Sequence, residues 1–107
     1  MTIQPTDIGS DENIEGYLIG SPVSLIREFT AVPGSGPRLH RHPYVETFLV
    51  HSGRALFTLG DDQVVVEGGQ VIAAPALLAH RFEVLDGGTY NATHIHASDR
   101  FVTEWLE

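Results

Sequence analysis

Glycine and proline interrupt this chain so often that a fold built on long helices is excluded. Eleven glycines and six prolines are spread over 107 residues. Between them lie short runs that alternate between apolar and polar residues or are rich in β-branched ones. Alternation with a period of two is typical of strands that bury one face. The pattern therefore predicts an all-β fold, a sandwich or barrel of short strands.

Nine strands are predicted, joined by turns rich in Gly, Pro, Asp and Ser. They cover Glu15–Ile19, Val23–Val32, Arg38–His42, Val45–His51, Arg54–Leu59, Gln63–Glu67, Gln70–Ala74, His80–Leu85 and Thr89–Ala97. Residues Ser98–Glu107 are predicted to form a short helix, capped by Ser98 or Asp99. Phe101 and Trp105 would share one face of it, packed on the barrel or on a partner. An aromatic platform for a ligand is the alternative interpretation of that face.

The composition excludes several classes of function. With 42% hydrophobic and 19% charged residues, residues 1–107 are expected to form a single domain. The absence of cysteine rules out disulfides, thiolate zinc sites and cysteine nucleophiles. A net charge of −8 without any lysine or basic run argues against nucleic-acid binding. Since the sequence has neither a signal-peptide pattern nor an apolar run of ~18 residues, we expect no membrane association and a cytoplasmic location.

Two histidines and a glutamate have the spacing of metal ligands. His40 and His42 share one face of the predicted strand, and Glu46 has the same parity four residues later, although Pro43 interrupts the alternation. Two imidazoles and one carboxylate can chelate a divalent first-row metal. Taken alone, a pair of histidines two residues apart is a weak signal, and surface or hydrogen-bonded histidines would be the better interpretation.

A third histidine, His80, makes a metal site the better interpretation. His80 lies on the same face of its strand as Phe82 and Val84, whereas Arg81 and Glu83 occupy the other face. The imidazole is thus predicted to point inward, where both of its nitrogens need partners. A lone inward histidine is more often a core residue than a ligand. Together with three other ligand-type residues facing the same interior, it favours a metal site.

These two segments resemble the motifs of the cupin superfamily. The first cupin motif, G(X)5HXH(X)3–4E(X)6G, is matched over residues 34–53 by Gly34, His40, His42, Glu46 and Gly53. The second, G(X)5PXG(X)2H(X)3N, is matched over residues 69–84 by Gly69, Pro75 and His80, with Leu77 in place of its glycine and Val84 in place of its asparagine. The resemblance implies a jelly-roll barrel, the double-stranded β-helix of small bacterial single-domain cupins. It also implies a metal held by His40, His42, Glu46 and His80, with two positions left for water or substrate.

The donor set suits iron, manganese, nickel, cobalt or zinc as the divalent ion, and the residues do not choose among them. The resemblance favours metal-dependent, dioxygenase-like oxidation of a small oxygen-bearing molecule. A non-redox lyase, isomerase or cyclase that uses the metal as a Lewis acid is one alternative. A non-catalytic ligand-binding or sensing protein is another.

Further residues are candidates for supporting roles. Tyr90, Ala92, His94 and His96 share a strand face that is predicted to point inward, and His51 is predicted to point outward. His96 or Tyr90 could serve as a catalytic base or as a donor to the ligands, although a structural hydrogen-bonding role is the plainer interpretation. A homodimer is also expected, because Leu49, Phe101, Val102, Trp105 and Leu106 cannot all be buried within one barrel.

Overall fold

Two five-stranded antiparallel sheets form the protein. The computed structural model describes residues 3–107. The strands are β1 (Asn13–Ile14), β2 (Ser24–Thr30), β3 (His40–Arg41), β4 (Glu46–Ser52), β5 (Arg54–Leu59), β6 (Asp62–Glu67), β7 (Val71–Ala74), β8 (His80–Val84), β9 (Tyr90–His96) and β10 (Glu104–Trp105). One sheet has the order β1-β2-β9-β4-β7 and the other has the order β10-β3-β8-β5-β6. The predicted all-β fold of short antiparallel strands is confirmed.

The core lies between the sheets because each strand turns its apolar positions inward. Along β9 the residues Tyr90, Ala92, His94 and His96 are buried, and the residues between them are half-buried. Phe48 on β4 and Phe57 on β5 meet across the interior with ring centres 4.8 Å apart. The predicted inward faces of β8 and β9 are therefore confirmed, as is the outward position of His51. No helix in the part of the chain that the structure describes is long and apolar enough to cross a membrane.

The first predicted strand is wrong. Residues Gly16–Leu18 form one turn of 3-10 helix instead of part of a strand over Glu15–Ile19. Its amides bond locally, with Leu18 N donating to Glu15 O and Ile19 N donating to Gly16 O. Gly16 packs so closely on the chain that a Cβ there would lie 2.1 Å from the carbonyl oxygen of Val23. A short apolar run followed by glycine is thus consistent with a strand or with a turn. Close packing around Gly16 selects the turn.

The predicted C-terminal helix over Ser98–Glu107 is also wrong. The segment begins in a bend over residues 98–100 and continues without helix to strand β10. This strand pairs with β3, placing Trp105 opposite His40. A ten-residue helix is marginal on its own, whereas the extended chain gains main-chain bonds and an Arg41–Glu104 ion pair at 2.7 Å. Extended backbone also separates residues four apart by about 13 Å rather than about 6 Å. Phe101 therefore packs on His96 while Trp105 packs on His40.

Leu77, which replaces a glycine of the second motif, has a left-handed backbone. Its φ is +67°, and among the described residues it is the one non-glycine with positive φ. The left-handed turn lets its amide donate to the carbonyl oxygen of His42 at 2.7 Å. The glycine-type turn is therefore kept without the glycine, at the cost of local strain.

Relieving this strain is expected to stabilise the protein. Leu77→Gly should raise the free energy of unfolding by about 1 kcal/mol, since a left-handed conformation costs a non-glycine residue roughly that much. Little packing is lost, because Leu77 is 59% exposed. Urea unfolding would measure the change, with Leu18→Gly as the control. Leu18 is similarly exposed but has no positive φ, so glycine there should destabilise. Equal losses in both variants would contradict the assignment of strain to Leu77.

Candidate metal centre

The four ligand-type residues of the two motifs meet between the sheets. His40, His42, Glu46 and His80 are all buried, and one nitrogen or oxygen atom from each lies within 4.8 Å of the others. The β3–β8 register places His40 directly opposite His80. Glu46 reaches the same point from the first residue of β4, in the other sheet. The barrel thus brings together residues from both sheets and both motifs.

Backbone carbonyls orient all three imidazoles in the same way. The Nδ1 atoms of His40, His42 and His80 lie 2.7, 2.8 and 3.0 Å from the carbonyl oxygens of Arg38, Val102 and Leu78. A carbonyl oxygen only accepts, so each Nδ1 carries hydrogen and donates it. In the neutral ring, Nε2 then bears the lone pair. Each ring is therefore held in the tautomer that a metal ligand needs.

The spacing of these atoms fits a bound cation. Nε2 of His42 lies 2.9 Å and Nε2 of His80 lies 3.2 Å from Oε1 of Glu46. A nitrogen lone pair at this distance repels the carboxylate unless a proton or a cation lies between or beside them. Nε2 of His42 is moreover buried without a hydrogen-bond partner. Neighbouring ligands in an octahedral shell with bonds of about 2.1 Å are about 3 Å apart. The residues present thus fit a divalent metal ion.

The neighbours of Glu46 favour the ionised form of its carboxylate. Burial by itself would raise its pKa, but contacts with His42, His80 and His96 outweigh burial and hold the pKa well below its usual range. The same carboxylate raises the pKa of His42 against the effect of burial, whereas burial lowers the pKa of His40. An ionised Glu46 gives the cluster a negative charge, which favours a cation at its centre.

His96 lies beside this cluster, because the β4–β9 register places it opposite Glu46. Its Nε2 is 3.1 Å from Oε2 of Glu46 and has no hydrogen-bond partner. Its Nδ1 is 2.5 Å from the hydroxyl oxygen of Tyr44. That oxygen accepts a hydrogen bond from the amide of Val102 at 3.3 Å, which leaves the hydroxyl hydrogen free to be donated to His96. The sequence places Tyr44 next to the ligands, but only the fold shows that it contacts His96.

Tyr90, the other candidate for a catalytic role, is placed away from the cluster. It is fully buried in the core and does not line the cavity described below. Its hydroxyl lies 2.9 Å from Nε2 of His94, and Nδ1 of His94 lies 3.8 Å from Oε2 of Glu46. Tyr90 therefore reaches the centre only through His94, a residue to which the sequence assigned an inward position but no role.

His94 is expected to make the stability of the metal-free protein depend on pH. Burial lowers its pKa to about 4, whereas the unfolded value is about 6.5. Below pH 6.5 the unfolded chain therefore takes up a proton that the folded protein excludes, and stability falls. We expect His94 to account for a loss of about 2 kcal/mol between pH 7.5 and 5.0.

Urea unfolding with chelator at both pH values would measure this loss. His94→Gln should lose about 2 kcal/mol less than the unsubstituted protein over the same range. His51→Gln is the matched control, because His51 is exposed and should leave the pH dependence unchanged. An identical pH dependence in all three proteins would show that His94 does not carry the effect.

A cavity of about 440 Å³ adjoins the cluster. His40, His42, Glu46, His80, His94 and His96 line one part of it. Apolar side chains supply much of the remaining wall: Ile26, Pro37, Phe48, Phe82, Phe101 and Trp105. A volume of this size accommodates a small organic molecule. A ligand in this cavity would lie against the four clustered residues.

Comparison with known proteins identifies the family. Residues 27–92, more than half of the chain, match the family described as Cupin domain. The chain belongs to the cupin family. No curated protein matches this cupin.

Solved structures share the fold of this cupin. An oxalate oxidase superimposes with a TM-score of 0.74 at 19% identity, covering 88% of this cupin and 53% of that chain. Oxalate decarboxylase from Bacillus subtilis gives 0.78 at 18% identity, covering 88% and 27% of the two chains. A cupin superfamily protein from Desulfitobacterium hafniense gives 0.58 at 20% identity, covering 69% and 63%. This cupin thus spans about half of the oxalate oxidase and about a quarter of the decarboxylase. At these identities the likeness is one of fold.

Proposed function

We propose that this cupin binds one divalent first-row metal ion and transforms a small oxygen-bearing organic molecule beside it. His40, His42, Glu46 and His80 are the proposed ligands. The observation that carries the proposal is the shared orientation of three buried imidazoles, each with Nδ1 bonded to a backbone carbonyl and Nε2 left for a metal. When bound, iron or manganese would supply redox chemistry with dioxygen, and zinc would supply Lewis acidity.

The remaining residues of the site would hold its geometry. The Tyr44 hydroxyl orients the ring of His96, and His96 in turn lies against Oε2 of Glu46. We propose that this arrangement leaves Oε1 of Glu46, the oxygen nearest His42 and His80, for the ion. The apolar walls of the cavity favour entry of an organic ligand. Tyr90 would act only by fixing the position of His94.

Dioxygenase-like oxidation is the leading reaction class, and a non-redox reaction is the second candidate. Two of the structural neighbours differ in the kind of reaction that their names give, since one is named an oxidase and the other a decarboxylase. The experiment that separates the two classes is elemental analysis of the natively expressed protein, followed by oxygen-uptake assays. Iron or manganese with oxygen uptake supports oxidation. Stoichiometric zinc without uptake would favour the lyase or isomerase class. Binding without turnover of any substrate would favour a sensing protein.

We also propose that two copies of this cupin associate through the C-terminal segment. Val102, Trp105 and Leu106 remain between 40% and 52% exposed, although the segment is extended rather than helical. Strand β10 also ends its sheet, which leaves an edge free for pairing with a second copy.

Sedimentation equilibrium tests this proposal, with an expected mass of about twice 11.7 kDa. Exchanging Val102 and Leu106 for serine should shift the protein toward monomer, since both side chains would lose apolar burial. Val64→Ser, at a comparably exposed position on β6, serves as the control. A mass near 11.7 kDa for the unsubstituted protein would contradict the dimer.

A further inference from the structure

One acidic residue in the cavity has no part in the metal site described above. Glu28 lies on β2, whose alternate residues Ile26, Glu28 and Thr30 line the cavity. The register places Glu28 opposite Ala92 on β9, one inward position from His94. Among the described residues, no hydrogen-bond donor or cation contacts its carboxylate. A half-buried carboxylate with unused acceptor oxygens thus faces the space that a ligand would enter.

No arginine lines this cavity in the described part of the chain, and the sequence contains no lysine. Arg27, the nearest arginine in sequence, points to the opposite face of the sheet. There its guanidinium donates to the carbonyl oxygen of Ala92 and to Oδ1 of Asn91. At pH 8, above the pKa of about 7 that Glu28 has in the folded protein, the negative charges of Glu28 and Glu46 together equal the positive charge of one divalent ion. No excess positive charge would remain to balance an anionic ligand.

The cavity already disfavours a second anion. Burial, then Asp11, then Glu46 raise the pKa of Glu28 to about 7. The same burial and the same two carboxylates would oppose a carboxylate brought in by a ligand. A hydroxyl group on a ligand would instead be favoured, because it can donate a hydrogen bond to Glu28 without adding charge.

We propose that Glu28 determines specificity and that the substrate is an uncharged, hydroxyl-bearing molecule with an apolar or aromatic body. This inference deepens the proposed function and rests on it, since it concerns what occupies the same cavity. The hydroxyl donates to Glu28, and the body packs against Ile26, Phe82 and Phe101. Small dicarboxylates such as oxalate, after which the oxalate oxidase and the oxalate decarboxylase described above are named, are excluded by charge.

Benzyl alcohol and benzoate are suitable probes, because they have similar size and shape and differ in charge. Their dissociation constants can be measured at pH 8.0 by methyl NMR titration, with Ile26 as the reporter in the cavity. We expect the zinc-loaded protein to bind the alcohol more tightly than the acid. Glu28→Gln keeps the shape and removes the charge, so it should shift the affinity ratio toward benzoate at least about tenfold. Glu83→Gln, an exposed substitution on β8, removes the same net charge outside the cavity and should leave the ratio unchanged.

The two proposals fail in different ways. If zinc does not bind in a one-to-one ratio, the metal-dependent function is wrong, and the same titrations on the metal-free protein still measure the effect of Glu28. If Glu28→Gln and Glu83→Gln shift the ratio equally, the specificity assignment is overturned even when zinc binds. Glu28→Ser provides a second variant with the charge removed and should shift the ratio in the same direction.

Discussion

Replacing His80 by alanine is expected to lower the affinity for a divalent metal ion by about 100-fold or more, equivalent to about 2.7 kcal/mol. The substitution removes one of three imidazoles whose Nε2 atoms face the centre, and it leaves Glu46 without a contact at 3.2 Å. Isothermal titration with zinc or cobalt, in competition with a chelator of known affinity, would measure the change. The loss should appear in the dissociation constant, with one ion still bound per chain at saturation.

His51→Ala is the matched control for this experiment. It removes the same kind of side chain from an exposed position on β4. Among the described residues, Thr93 is the one hydrogen-bond partner of the His51 side chain. Its metal affinity should equal that of the unsubstituted protein. If the two alanine variants bind metal equally well, His80 is not a ligand and the proposed centre is wrong at that position.

Metal removal is expected to lower the melting temperature by at least about 15 °C. An ion that binds only the folded protein stabilises it by about 4 kcal/mol when present at 1,000 times its dissociation constant. In a domain of about 100 residues, each kcal/mol corresponds to about 4 °C or more. The effect should be large here, because the metal would also relieve repulsion between buried lone pairs and the Glu46 carboxylate.

This stabilisation should depend on pH. The ligand imidazoles bind metal only when neutral, and the pKa of His42 is raised above its ordinary value of about 6.5. The metal-dependent rise in melting temperature should therefore be largest at high pH and fade as the pH falls toward and below 6.5. Calorimetry of the metal-loaded and chelator-treated protein at several pH values would measure it. His80→Ala, the control, should show a much smaller metal-dependent shift at any pH. Equal melting temperatures with and without saturating metal at pH 7.5 would contradict a native site.

Local patterns in the sequence predict much of the fold and the identity of the clustered residues. Alternation along β8 and β9 correctly indicates which residues point inward, including His80 and His96. Spacing and motif resemblance select His40, His42, Glu46 and His80, which the structure brings within 4.8 Å of one another. These inferences succeed because side-chain direction in a strand repeats every two residues, so a short segment determines which face is buried.

The mistaken elements are those that local pattern leaves ambiguous. The segment around Gly16 contains apolar residues suited to a strand, yet its close packing against Val23 imposes a turn. Phe101 and Trp105 have helical spacing, yet pairing of β10 with β3 draws them apart to contact His96 and His40. In both cases interactions with residues distant in sequence outweigh a weak local preference.

By itself, the sequence determined the β architecture, the inward faces and the four residues that cluster at its centre. Only the tertiary structure decided which groups surround them. The carbonyl of Val102 orients His42, although the two residues are 60 positions apart in the sequence. Tyr44 contacts His96, which is 52 positions away in the sequence. Glu28 faces the same cavity as the clustered residues from a strand that belongs to neither motif. Such contacts depend on strand register and on how the two sheets pack, and no periodicity within a single segment encodes either of them.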